Sequence, residues 1–170
     1  LLVFFACLAL GFFVFPGVSN ALTLTPIRFE LVGDPGATVS EEILLINEGT
    51  AVECYYSSYS NFEAQGDSGS PAFVEPKEGL GTWISTPISS VCLDPRQQKV
   101  VPFDISIPQN AEPGGHFAII FWGTSPPGGS GMIAVGSQTG VLVLLSVTGD
   151  DTEDAGLLNF NTVDKKFFHQ

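Results

Sequence analysis

Cations are scarce in this 170-residue chain: six Lys and Arg stand against eighteen Asp and Glu, a net charge of -12. They are spread from Arg28 to Lys166. Neutralising a phosphate backbone takes clustered Lys and Arg, so no nucleic-acid partner is expected. Histidine is rarer, with two residues and no Cys/His cluster beside them, which leaves little material for a zinc site; no metal or cofactor is expected. Charge is missing altogether before Arg28. Convincing amphipathic helical periodicity is missing too. What is present is an apolar content of 44%, too high for a disordered chain.

The uncharged start has its own logic. Leu1–Phe15 is an apolar run of 15 residues holding one Gly, shorter than the roughly 20 needed to span a bilayer as a helix. Pro16-Gly17 breaks it, and small side chains follow at Ser19 and Ala21, the pattern that signal peptidase accepts. Residues 1–21 are read as a secretory signal peptide cut after Ala21. The chain starts with Leu and lacks a basic n-region, so residues before Leu1 are expected to be missing. Cys7 lies inside the apolar run with Leu8-Ala9-Leu10 after it, unlike a lipoprotein cysteine. Cleavage leaves Cys54 and Cys92, and an exported protein meets oxidising conditions, so these two are expected to form one disulfide. The alternative is a pair of separate buried thiols.

Downstream, segments are short, β-branched and aromatic, with turn residues between them. Thr23–Val32 alternates, with Ile27, Phe29 and Leu31 on one face and Arg28 and Glu30 on the other; Pro26 predicts an edge strand. Val39–Asn47 and Ala51–Ser60 are further strands, the latter with Val52, Cys54 and Tyr56 on one face. Residues 61–82 are rich in Gly, Ser, Pro and acids and read as a long surface loop holding a short strand near Ala72-Phe73-Val74. Trp83-Ile84 reads as a return to the core, and Val91–Leu93 as a short strand. Lys99–Ile107 points Val101, Phe103, Ile105 and Ile107 inward. His116–Trp122 is nearly all apolar, as in a strand buried on both sides. Met132–Val147 supplies one long or two short strands. Seven or more strands at this spacing predict an all-β antiparallel sandwich, with a closed barrel as the structural alternative. The sandwich is placed at 22–148, an acidic linker at 149–155, and at 156–170 the first strand of a second β-domain, truncated.

Few residues carry chemistry. Gly66-Asp67-Ser68-Gly69-Ser70-Pro71 looks like the nucleophile segment of trypsin-like proteases. A serine nucleophile needs a His base and an orienting Asp, and no His precedes His116, so this is read as a loop. His116 reads as a strand-end residue, without a second His or Cys beside it. Glu41 and Glu42 are neighbours and face opposite ways on a strand, unlike a paired-carboxylate site. No catalytic residue is expected. Tyr55 and Tyr59 share one strand face, and an outward pair would bind a sugar or a partner by stacking; they are the weak binding candidates, against the plainer reading of cross-strand packing.

A longer pattern resembles a known family. It comprises Thr25-Pro26, Asp34-Pro35-Gly36, Trp83-Ile84, Leu93-Asp94-Pro95 and Val101-Pro102-Phe103-Asp104-Ile105. Its clearest piece is Ile107-Pro108 followed by Ala111-Glu112-Pro113-Gly114-Gly115-His116-Phe117-Ala118. These resemble the turn of Ig-like domains in exported bacterial surface proteins, such as the peptidoglycan-binding domain of WxL-interacting proteins. The resemblance implies an Ig-like β-sandwich over about Leu22–Val147 in a non-enzymatic, cell-surface or extracellular protein. Its implied role is adhesion or cell-envelope binding, with a cell-wall polymer or a surface protein as partner. It also implies a second domain and a C-terminal membrane anchor beyond this sequence, the only membrane contact expected. The general shape also resembles the N-terminal domain of pilus chaperones, without a matching basic cleft pair. The alternative is a carbohydrate-binding module of a larger secreted protein.

Overall fold

The computed structural model describes residues 21–65, 70–126 and 136–150. The expected signal peptide apart from Ala21, the centre of the protease-like motif, the start of the expected Met132–Val147 strand, and the expected linker and second domain beyond Asp150 lie outside them.

Among the described residues, ten strands form two sheets. They are β1 (Leu22–Thr25), β2 (Arg28–Gly33), β3 (Thr38–Asn47), β4 (Glu53–Gln65), β5 (Ser70–Val74), β6 (Ile84–Ser85), β7 (Ser90–Leu93), β8 (Gln98–Ser106), β9 (Gly114–Gly123) and β10 (Gln138–Val147). One helical turn, Leu80–Trp83, precedes β6. The four-stranded sheet runs β1-β3-β8-β6. The six-stranded sheet runs β2-β10-β9-β4-β5, with β7 also paired to β4. This is the expected all-β sandwich. It has one parallel pair, β2 with β10, among otherwise antiparallel ladders.

That parallel pair comes from the first strand, which is two strands. β1 pairs with β3, then Thr25-Pro26, a cis peptide bond, precedes β2 in the other sheet. Pro26 has no N–H to donate, so a continuous ladder through it would lose a bond. Ile27 sits at the crossover and is 75% exposed rather than inward, while Phe29 is buried.

Where polar and apolar residues alternate, the faces are as the pattern predicts. Val101, Phe103, Ile105 and Ile107 are buried, and Pro102, Asp104 and Ser106 are exposed. They meet Ile43 and Leu45 of β3 across their own sheet, and Tyr55, Ile120, Trp122, Val141, Val143 and Leu145 of the facing sheet in one core. Phe29 meets Phe103 edge-on across the sheets, centroids 5.2 Å apart at 71°.

Two departures concern the middle of the chain. The region expected to be a loop with a short strand near Ala72-Phe73-Val74 is in part a hairpin: that strand is β5, β4 continues to Gln65, and β5 pairs back onto it from Asn61↔Val74 to Gln65↔Ser70. β9 is not buried on both sides: Ala118, Ile120 and Trp122 face the core, but Phe117 is 46% exposed.

One buried polar side chain organises an end of the sandwich. Asn47 closes β3 and is 1% exposed. Its amide nitrogen donates to the carbonyls of Ala51 (2.9 Å), Leu93 (2.9 Å) and Asp94 (3.1 Å). Its oxygen accepts from the Gly49 N–H (2.9 Å) and the Tyr55 hydroxyl (3.3 Å). The β3–β4 turn, β7 and the turn into β8 are thus held by one residue.

Candidate functional site

The predicted site residues fall as follows. Cys54 and Cys92 are directly opposed on β4 and β7 and form the expected disulfide. Tyr55 and Tyr59 share a face, but it is the inward one. Tyr55 is 2% exposed and Tyr59 is half-buried against the core. The outward pair is therefore not formed, and cross-strand packing is what these two rings do. Burial, with the nearby Glu53 charge adding to it, pushes the Tyr55 hydroxyl pKa up. Burial also raises Tyr59, partly offset by hydrogen bonding to the Ser57 side chain and the Thr86 backbone. Both directions follow from the cost of placing a phenolate in an apolar setting.

The outer face of the six-stranded sheet carries what the outward tyrosines do not. Strand alternation sends Val32 of β2, Leu142 and Leu144 of β10, and Phe117, Ile119 and Phe121 of β9 away from the core. Register brings them side by side: Leu142 lies opposite Ile119, and Leu144 opposite Phe117. On the far side, Phe62 of β4 lies opposite Phe73 of β5. Phe73 links the groups, with centroids 5.8 Å from Phe62 at 52° and 5.6 Å from Phe121 at 84°. Val32 is 68% exposed, Phe73 51% and Leu142 37%.

Relief on this face is shallow. A small hollow of about 70 Å³ lies between Phe62, Phe117, Leu142 and Leu144. A wider one of about 400 Å³ lies between Glu30, Val32, Phe117 and Leu144. Gly140 lies opposite Phe121, and a Cβ there would come within 2.5 Å of Ile119 Cδ1 and 2.9 Å of Phe121 Cδ1. The absent side chain lets those two lie down over the strand. The β2 edge is polar: Arg28 pairs with Glu30 at 2.8 Å, both well exposed. An apolar centre with a charged margin is the layout of a protein-binding patch.

Sequence reasoning missed this face, although a signal was there. Phe117–Trp122 and Val141–Leu145 hold no polar residue at either parity, and the two runs pair with each other. A sandwich sheet has only one face on the core, so two such runs side by side leave an apolar outer face. Elsewhere, no group of three or more His, Cys, Asp or Glu converges among the described residues, and no helix among them is long and apolar enough to cross a membrane.

No protein-family model matches the sequence, and no curated protein matches it. Solved structures do match. The chain is similar to the ASH / PapD-like domain 7 of human CEP192, at 13% identity and TM-score 0.53, over 78% of this chain and 89% of that one. It is similar to the class 5 fimbriae chaperone CfaA, at 10% identity and TM-score 0.51, over 76% of this chain and 57% of that one. It is also similar to a chain of the CsuC-CsuE chaperone-tip adhesion subunit pre-assembly complex of Acinetobacter baumannii, at 9% identity and TM-score 0.51, over 76% and 58%. The fold is an Ig-like, PapD-like β-sandwich. The chain spans most of the CEP192 domain but little more than half of the two bacterial chains.

Proposed function

We propose that the chain is an exported, non-enzymatic binding domain that holds a protein of the cell envelope against the outer face of its six-stranded sheet. The exposed apolar surface around Phe73, Phe117 and Leu142 carries this reading, because a contiguous patch on a sheet face costs solubility unless something covers it. The Cys54–Cys92 disulfide supports an oxidising compartment. The Ile107–Ala118 turn supports an envelope setting through its resemblance to WxL-interacting proteins. That a structural neighbour is a chain of a complex between a chaperone and a tip adhesion subunit supports a protein partner. Adhesion is the process such a domain would serve. The carbohydrate-module reading rested on an outward tyrosine pair, and Tyr55 and Tyr59 face inward.

Binding of the purified chain to envelopes of its source cell tests the proposal. Saturable binding is expected to intact envelopes and to be lost after protease treatment. Phe73→Glu with Phe117→Glu is expected to weaken it by about tenfold or more, since both rings would be central to the contact. Equal binding to protein-free peptidoglycan, or an unaffected double variant that melts with wild type, would overturn it.

A further inference from the structure

A second concavity shares no lining residue with the apolar face and owes nothing to the proposal made for it. It is a hollow of about 430 Å³ between the segment ahead of β6 and the β8–β9 turn. Its aromatic wall is Trp83, half-buried, with the His116 ring 4.8 Å away, centroid to centroid, at 52°. Glu78, Asn110 and Glu112 also line it, and all three are exposed.

The chemistry of this lining is one-sided. His116 Nε2 lies 2.8 Å from the Glu112 backbone carbonyl. A carbonyl oxygen only accepts, so that nitrogen bears the proton, and in the neutral ring Nδ1 is left as an acceptor. The hollow is therefore lined by two glutamates, the His116 imidazole and the Trp83 indole, and no Lys or Arg among the described residues lines it. Sequence alone makes His116 a strand-end residue and Trp83 part of a return to the core. The fold makes them one wall although 33 positions separate them in the chain.

We propose that this hollow binds a cationic nitrogen group, an alkylammonium or a guanidinium, between the carboxylates of Glu78 and Glu112 and beside the Trp83 indole. A cation gains from the ring quadrupole and from charge-assisted hydrogen bonds to carboxylates. An anion is repelled. The group comes either from a free small amine or from a Lys or Arg side chain of a protein.

The test follows the Trp83 indole N–H resonance in the full chain at low salt. It titrates N-acetyl-lysine methylamide, N-acetyl-arginine methylamide and choline to tens of millimolar, with N-acetylglucosamine as the neutral probe. A saturable shift is expected with at least one cation and none with the sugar. Glu78→Gln with Glu112→Gln is expected to weaken it by about tenfold, as removal of two flanking charges should; both residues are exposed, so the variant folds. Preference for the amino-acid probes supports a protein side chain as the source, and preference for choline a free amine. No saturable shift from any cation, an unchanged response in the double variant, or an equal response to the sugar would overturn the proposal.

Discussion

Replacing Asn47 with Ala lowers the stability of the domain by about 3–5 kcal/mol, because each buried polar group left without its partner costs roughly 1–3 kcal/mol. The substitution strips a donor from the carbonyls of Ala51, Leu93 and Asp94 and an acceptor from the Gly49 N–H and the Tyr55 hydroxyl. Asn47 is essentially sealed from water, so solvent does not replace those bonds without opening the end of the sandwich. The effect is read from urea unfolding midpoints at constant slope, and corresponds to a fall in Tm of about 10 °C or more. Asn47→Asp separates volume from hydrogen bonding. It keeps the shape and the acceptor, removes both N–H donors, and points negative charge at three carbonyls. It should be at least as damaging as Ala. A loss below about 1 kcal/mol in both variants would show that Asn47 does not hold this end together.

Removing the disulfide is the other large perturbation. Cys54 and Cys92 lie 38 residues apart in sequence and face each other across the β4–β7 ladder. The bond closes a loop that contains β5, the helical turn and β6. By the chain-entropy estimate, a loop of this length restricts the unfolded ensemble by roughly 4 kcal/mol. The expected result for Cys54→Ser with Cys92→Ser is a loss of that order at neutral pH. Among the described residues β7 pairs with β4 alone, so its amides should show the greatest gain in hydrogen exchange. Equal unfolding midpoints for the oxidised chain and the double variant would contradict this.

How much was legible depended on whether polarity alternated. In β8, apolar and polar residues take turns from Val101 to Ile107, and each lies where the alternation puts it. The Cys pair was legible because only two cysteines follow the leader-like segment. In Cys54–Asn61, the two faces read Cys-Tyr-Ser-Ser and Tyr-Ser-Tyr-Asn. Both are mixed, so parity put Tyr55 with Tyr59 but could not say which side was the core. The β4–β5 hairpin was hidden by its Gly, Ser and Pro content, which local propensity assigns to loops while cross-strand pairs such as Phe62 with Phe73 override it. The move of the chain between sheets at Pro26 was half visible. Proline forbids a continuous ladder, but only the presence of β10 in the facing sheet provides somewhere for β2 to go. The Trp83–His116 wall was invisible for the same reason: it is made by tertiary placement, which local pattern does not encode.

The proposed function places a partner protein on the outer face of the six-stranded sheet. Hydrogen exchange of the chain, alone and bound to protein-intact envelopes, tests this most directly. New protection is predicted in β5, β9 and β10, around Phe73, Phe117 and Leu142, with β1, β3 and β8 of the opposite sheet unchanged. Protection confined to the four-stranded sheet, or binding with no protection in β9 and β10, would contradict it.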